Sequence, residues 1–360
     1  MMTRALRALF AVAAPCAFAC SQVIVVSGSG LALQNAILAA PDGAILVVPQ
    51  NSSFLSVFVT VAKNVTVVAP LGATVDNFDV TFTGPYRLTV VGLSVSSPFG
   101  GELGTNGNLV AENCTAGRLL VNASAPVTVY VRNCWFAGGS VNRLDNVNAV
   151  RVDSHFAGYS STIVGYDGLR VTGTGSLRAE RTVFMGDAQM TVGIGLVVST
   201  PAVLTNCTAA GGHGGLPTTQ GVSIQSTSTV TLSNCSLVGP VIGTVTQRTV
   251  PSAAWLNRAW TVGGTSQVRF HENANRVVAV IAATDLVPLA SPFASEPLYV
   301  GATSNWLVSS IGVTDGSGNL VATFSLPSAP ALQYQSVWLT GAFVGSLPLS
   351  TSCPLGGVVY

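Results

Sequence analysis

The chain has 360 residues, of which only 8% are charged and 48% are hydrophobic, with a formal net charge of +1. Such a charge balance offers no field for gathering nucleic acid or anionic lipid, and scattered glycine and proline with this apolar content exclude a disordered chain. Val, Thr, Ser, Asn and Gly dominate and lysine occurs once, at Lys63, a profile of many short strands joined by tight turns.

The chain opens with MMTRALRALFAVAAPCAFACSQ. Arg4 and Arg7 form a positive segment, Leu9 to Ala14 an apolar one, and Ala17-Phe18-Ala19 fits a small-residue cleavage site. Residues 1–19 therefore read as a signal peptide, and the chain as exported to the cell surface or the extracellular space. The rival reading is a lipoprotein signal with Cys20 as the acylated residue. No later segment has the roughly 20 uninterrupted apolar residues of a membrane-spanning helix.

Residues 31–50 read LALQNAILAAPDGAILVVPQ. The spacing of Leu33, Ala36, Ile37 and Ala40 predicts a short amphipathic helix, followed by an Asp-Gly turn and a first strand. Strand-plus-turn units then recur at 64–70 and 86–95. From residue 112 they become a repeat: ENCTAGR, RNCWFAGG, VDSHFAGY, ERTVFMGD, TNCTAAGG and SNCSLVGP. The aligned positions are Asn113, Asn133, Asp153, Arg181, Asn206 and Asn234, spaced 20, 20, 28, 25 and 28 residues apart. A period of this length built only of strands and turns predicts a solenoid.

Alternation predicts the shape of each rung. In VTVYVRNCWF, residues Val127, Val129 and Val131 share one phase, then the phase slips by one so that Cys134 and Phe136 are the next inward pair. One extra residue in a period-2 pattern is a bend, and asparagine tolerates the left-handed backbone that such a bend needs. Asn113, Asn133, Asn206 and Asn234 then stack and bond along a ladder. Cys114, Cys134, Cys207 and Cys235 fall at the inward position after the bend. Neighbouring rungs lie about 4.8 Å apart, so Cys114/Cys134 and Cys207/Cys235 are expected to stack, as buried thiols or, in an oxidising compartment, as disulfides.

These rungs resemble the parallel β-helix of the pectate lyase-like superfamily, with its asparagine ladder at the bend between two sheets. The resemblance covers residues 23–245 and implies an all-β fold: a right-handed single-stranded parallel β-helix with an N-terminal capping helix over its open end. Residues 246–267 read as a linker or a C-terminal cap. Residues 268–360 are strands broken by proline, with a turn at Asp315-Gly316-Ser317-Gly318, and read as a small β-sandwich. This part resembles C-terminal modules carried by secreted bacterial proteins.

Lyases and hydrolases of the superfamily carry acidic clusters on an outer sheet for proton transfer. Here 14 acidic residues are spread over the chain with no Asp-Asp or Asp-x-Asp. The best outer-face candidate is AVRVDSHFAG, where unbroken alternation of Val150, Val152, Ser154 and Phe156 makes Arg151, Asp153 and His155 project together. Arg132, Arg178 and Glu180 flank them on neighbouring repeats. The group reads as a mixed-sign ladder of exposed ion pairs with Glu112, as a sugar-binding surface, or as an acid–base site. His213 lies in a glycine-rich stretch, GGHGGLPTTQG, that is expected to bulge outward as a turn or as a ligand contact. Six N-x-[ST] triplets, headed by Asn51, Asn64, Asn113, Asn122, Asn206 and Asn234, follow from the composition, and three of the six are ladder positions. No motif implies a cofactor or a metal. The reading is an exported, non-catalytic β-helix protein binding polysaccharide or a surface partner through its outer sheet. The alternatives are a polysaccharide lyase or glycoside hydrolase acting on an acidic glycan, and a structural or adhesive spacer.

Overall fold

The structure, a computed structural model, describes residues 22–103, 107–138, 142–152, 154–158, 167–186, 193–213, 216–217, 221–248, 253–256, 259–284, 288–289, 294, 298–299, 307–344 and 349–360. The predicted leader and Cys20 lie outside them. The chain divides into a unit spanning Gln22–Pro251 and one that takes in Ser252–Tyr360. Among the described residues no helix is long and apolar enough to cross a membrane.

The first unit is a parallel β-solenoid whose 23 strands hydrogen-bond from coil to coil. Each full coil presents three faces. The first face runs through Ala44–Val47, Asn108–Glu112, Ser176–Glu180, Ala202–Thr205 and Val230–Ser233. The second follows the bend, through Trp135–Gly138, Val183–Met185, Thr208–Ala210 and Ser236–Val238. The third holds Val57–Val61, Phe78–Phe82, Leu169–Thr172, Leu196–Val198 and Ile224–Ser226. Long strands such as Arg87–Leu103 and Thr115–Arg132 turn the corners without a break.

In-register pairing stacks like on like. Val129, Ala149, Leu177, Ala202 and Val230 make one column, all buried. Across the second and third faces Phe78 and Phe99 stack at 5.4 Å, and Phe99 meets Phe136 at 6.3 Å. Such pairs add about 0.5–1.5 kcal/mol beyond area burial. Polar residues also enter the core. Asn142 is fully buried, in a stretch of core that includes Leu119 and Leu169. Its Oδ1 accepts the Leu119 amide at 2.8 Å and its Nδ2 donates to the Gly168 carbonyl at 2.8 Å. The side chain thus bridges the coil before its own to the coil after it.

The predicted helix is present as α1, Ala32–Ala39. Leu33, Ile37 and the following Ala40 are buried in the same core cluster as the strands. Lys63 Nζ donates to the carbonyls of Leu38 and Ala40, satisfying the helix's last acceptors where the dipole favours a cation.

The second unit is antiparallel. A three-stranded sheet (Ala253–Leu256, Thr265–His271, Asn319–Ser325) and a five-stranded one (Leu307–Val313, Val277–Ala283, Ser336–Val344, Ser350–Thr351, Leu355–Val358) are joined at the Asp315–Gly318 turn. Asp315 Oδ1 accepts the amides of Ser317 and Asn319 there. Phe270 of one sheet meets Phe343 of the other at 6.4 Å, and Trp260 meets Phe324 at 6.3 Å. Residues 253–256, read from sequence as part of a connecting stretch, pair with His271 to Val268 and so form an outer strand of this unit.

Candidate functional site

The hinge residues lie as the alternation predicts. Asn113, Asn133, Arg181, Asn206 and Asn234 all take positive φ, between +46° and +54°. Asn133 Nδ2 donates to Asn113 Oδ1 at 2.6 Å, and Asn234 Nδ2 to Asn206 Oδ1 at 2.7 Å. Cys114, Cys134 and Cys207 are buried behind the bend and Cys235 is half-buried, and all four are thiols.

The repeat at 150–156 differs from its predicted alternation. Val152 is in register with Arg132 and Glu180, and His155 with Trp135 and Val183. The interval between them matches the other coils, so the phase slip is present here too. Ser154 is buried at the cysteine position and accepts the Cys134 amide at 3.3 Å. Arg151 therefore shares its register with buried Val131 and Ala179, whereas His155 shares its own with exposed Trp135. The two occupy columns of opposite character, not one outer row. Asp153 lies outside the described residues, as do the side chains of Arg151 and His155. His213 is in a two-residue strand, Gly212–His213, paired antiparallel with Leu216–Pro217. The predicted bulge is thus a small hairpin, and the His213 side chain lies outside the described residues.

Arg132, Arg178 and Glu180 depart from the expected exposed ladder. Glu112, Arg178 and Glu180 are buried, and Arg132 pairs with Glu112 at 3.2 Å with its side chain 13% exposed. Their neighbours explain this: Thr89, Val91, Val110 and Tyr130 on the same outer columns are also buried. The outer side of the first face is withdrawn from solvent, and its ion pairs are buried ones. Glu180 also pairs with Arg181.

The open polar surface is on the third face. Register stacks Phe58, Asp79, Gly100, Leu120, Arg143 and Arg170 in one outer column, and Thr81, Glu102, Asn122, Asp145 and Thr172 near it. Arg143 and Arg170 are aligned on adjacent coils with side chains 54% and 45% exposed. Each is held by a carboxylate of its own coil. Arg143 Nε donates to Asp145 at 2.6 Å, and Arg170 donates to Asp167 through Nε at 3.0 Å and Nη2 at 2.6 Å. Thr172 steadies Asp145 from the next coil. At the other end, burial and the neighbouring Glu102 charge raise the Asp79 carboxyl above its usual range. Burial raises Asp167 as well, opposed by Arg170. Gly100 leaves this column low. A Cβ on Gly100 would lie 1.8 Å from the Leu120 carbonyl oxygen.

Sequence reading missed this strip because its members lie 20 to 27 residues apart and touch only through register. The available signal was that Arg143-x-Asp145 and Asp167-x-x-Arg170 fall in consecutive coils. Among the described residues no group of three or more His, Cys, Asp or Glu side chains could hold a metal ion. Comparison of the sequence with models of known protein families and with curated proteins finds no match.

Proposed function

We propose that the protein is an exported, non-catalytic scaffold that binds polysaccharide along the outer side of the third face. The observation that carries this reading is the Arg143–Arg170 pair. Two half-exposed guanidiniums sit one rung apart, each fixed by its own carboxylate. Fixed guanidiniums present planar donors to sugar hydroxyls and carboxylates at little entropic cost. Exposed Asn122 and Glu102 add hydrogen-bonding groups on neighbouring coils, and Phe58, 57% exposed at the head of the column, offers an apolar plane for a sugar ring. The test is binding of the purified chain to pectin, alginate and a neutral glucan by affinity electrophoresis and calorimetry. Arg143→Ala and Arg170→Ala are expected to weaken binding at least tenfold. No retention by any glycan, or retention indifferent to both changes, overturns the reading and favours a spacer.

A second reading rests on Asp79 and Glu102, carboxylates of the third face close enough that, beyond burial, the Glu102 charge helps hold the Asp79 carboxyl above its ordinary value. Neighbouring carboxylates are what acid–base cleavage of a glycosidic bond uses. Turnover of the same glycans that is lost in Asp79→Asn or Glu102→Gln would replace binding with hydrolysis or elimination as the function.

A further inference from the structure

The cysteine ladder ends in a pair unlike the first. Thr205 pairs with Ser233, Thr208 with Ser236, and Cys207 and Cys235 face each other between them. The Asn206–Asn234 bond at 2.7 Å and the Ser236 amide on the Cys207 carbonyl at 2.9 Å close the two coils on either side. One-rung spacing is about 4.8 Å, inside the roughly 4.4–6.8 Å Cα separation that a disulfide spans. The Cys235 Sγ lies 3.3 Å from the carbonyl of Leu204, on the coil below, and 3.4 Å from that of Ser233 on its own. It therefore leans across the rung toward Cys207, whose Sγ lies 3.3 Å from the Thr205 carbonyl. Cys235 immediately precedes the last strand of the second face, Ser236–Val238, which is paired only with Thr208–Ala210 among the described strands, and it is half-buried. Cys114 and Cys134 stack the same way but are only 1% and 3% exposed, in the middle of the solenoid.

We propose that Cys235 and Cys207 form a thiol–disulfide exchange site, with Cys235 as the attacking thiol, Cys207 as the resolving thiol, and a low-molecular-weight disulfide as the oxidant. The Cys235 thiolate attacks one sulfur of the small disulfide, forming a mixed disulfide and expelling one small thiolate. Cys207 then gives up its proton, attacks the Cys235 sulfur and expels the second small thiolate. Two protein thiols are oxidised to one disulfide, one small disulfide is reduced to two thiols, and the released protons end on those thiols or in solvent. The hydrogen bond from Cys207 lowers the Cys235 thiol to about 7, so thiolate is present at neutral pH; Cys134 lowers Cys114 in the same way, but Cys114 is buried away from a small disulfide. The product bond ties the last two described rungs of the second face.

The experiment treats the folded full-length chain with oxidised glutathione at neutral pH, quenches with an alkylating agent and maps the peptides by mass spectrometry. The expected result is a Cys207–Cys235 linkage, with Cys114 and Cys134 alkylated only after unfolding. Cys207→Ser is expected to accumulate a glutathione mixed disulfide on Cys235, and Cys235→Ser to leave Cys207 unmodified. Both variants should keep the wild-type far-UV circular dichroism. The proposal is overturned if Cys114 or Cys134 reacts first, if Cys235 stays unmodified in folded wild type, or if Cys207→Ser collects no adduct on Cys235.

Discussion

Replacing Asn133 with alanine and with glycine separates the two things the hinge residue does. Asn133 holds φ at +47°, and its side chain donates the 2.6 Å ladder bond to Asn113. Alanine loses both. A non-glycine residue without a local side-chain bond costs about 1–2 kcal/mol in the left-handed region, and a typical hydrogen bond contributes about 1 kcal/mol net. The Asn133→Ala variant should therefore lose about 2–3 kcal/mol. Glycine loses the bond but adopts the backbone freely, at an unfolded-chain entropy cost of about 0.4–1 kcal/mol, so Asn133→Gly should lose about 1.5–2 kcal/mol. The assay is urea unfolding followed by far-UV circular dichroism, with the slopes compared so that the midpoints report stability. Alanine should be the worse substitution by about 0.5–1 kcal/mol. If glycine proves equal or worse, the positive φ is not what selects asparagine at the bend.

Asn142→Ala should cost about 2–5 kcal/mol in the same titration, because it leaves the buried Leu119 amide and Gly168 carbonyl each without the partner the side chain supplies; an effect below about 1 kcal/mol would mean the coils re-pair without it. Lys63→Met should cost about 0.5–1 kcal/mol by removing the cation from the C-terminus of α1. Since Lys63 is the only lysine, amine-reactive labelling of the folded chain should be slow there and rise on unfolding. Asp79 carries a raised folded pKa, so the folded state holds its proton to higher pH than the unfolded chain, and stability falls as pH rises from the usual carboxylate range through that raised value. Asp79→Asn should accordingly be at least as stable as wild type at neutral pH and should flatten that part of the stability–pH curve; a variant less stable at neutral pH would refute the assignment.

The fold was legible because a solenoid writes its architecture as local pattern. The slip from Val131 to Cys134 is visible in ten residues, and repetition of the slip fixes where every coil bends. Even Arg181, a poor left-handed residue on propensity, could be assigned to the hinge by its place between Asn133 and Asn206, and it takes φ +46°. The same locality misled at 150–156. Four alternating residues, Val150 to Phe156, read as an unbroken strand, but pairing with Arg132 and Glu180 on either side holds Val152 in an outer column. Tertiary register overrode local periodicity there, so Arg151 and His155 do not share one row.

The candidate surface was illegible for a related reason. Inward positions announce themselves by being apolar, but outward positions on the first and third faces carry the same mixture of Thr, Val, Arg and Glu. Only solvent access separates them: Arg178 is buried, whereas Arg143 and Arg170 are about half exposed. A buried ion pair such as Arg132–Glu112 costs desolvation and is strongly destabilising to break from one side. The exposed pair at Arg143 carries little stability of its own, typically about 0–1 kcal/mol, whereas Arg170 also compensates the buried Asp167 carboxylate. Arg143 therefore does little for the coils, so a guanidinium pinned on an open face there is better explained by what it contacts outside the chain than by what it holds within it. Arg143→Ala should barely move the unfolding midpoint while weakening glycan retention at least tenfold. A large loss of stability instead would place it with Arg132 as part of the scaffold.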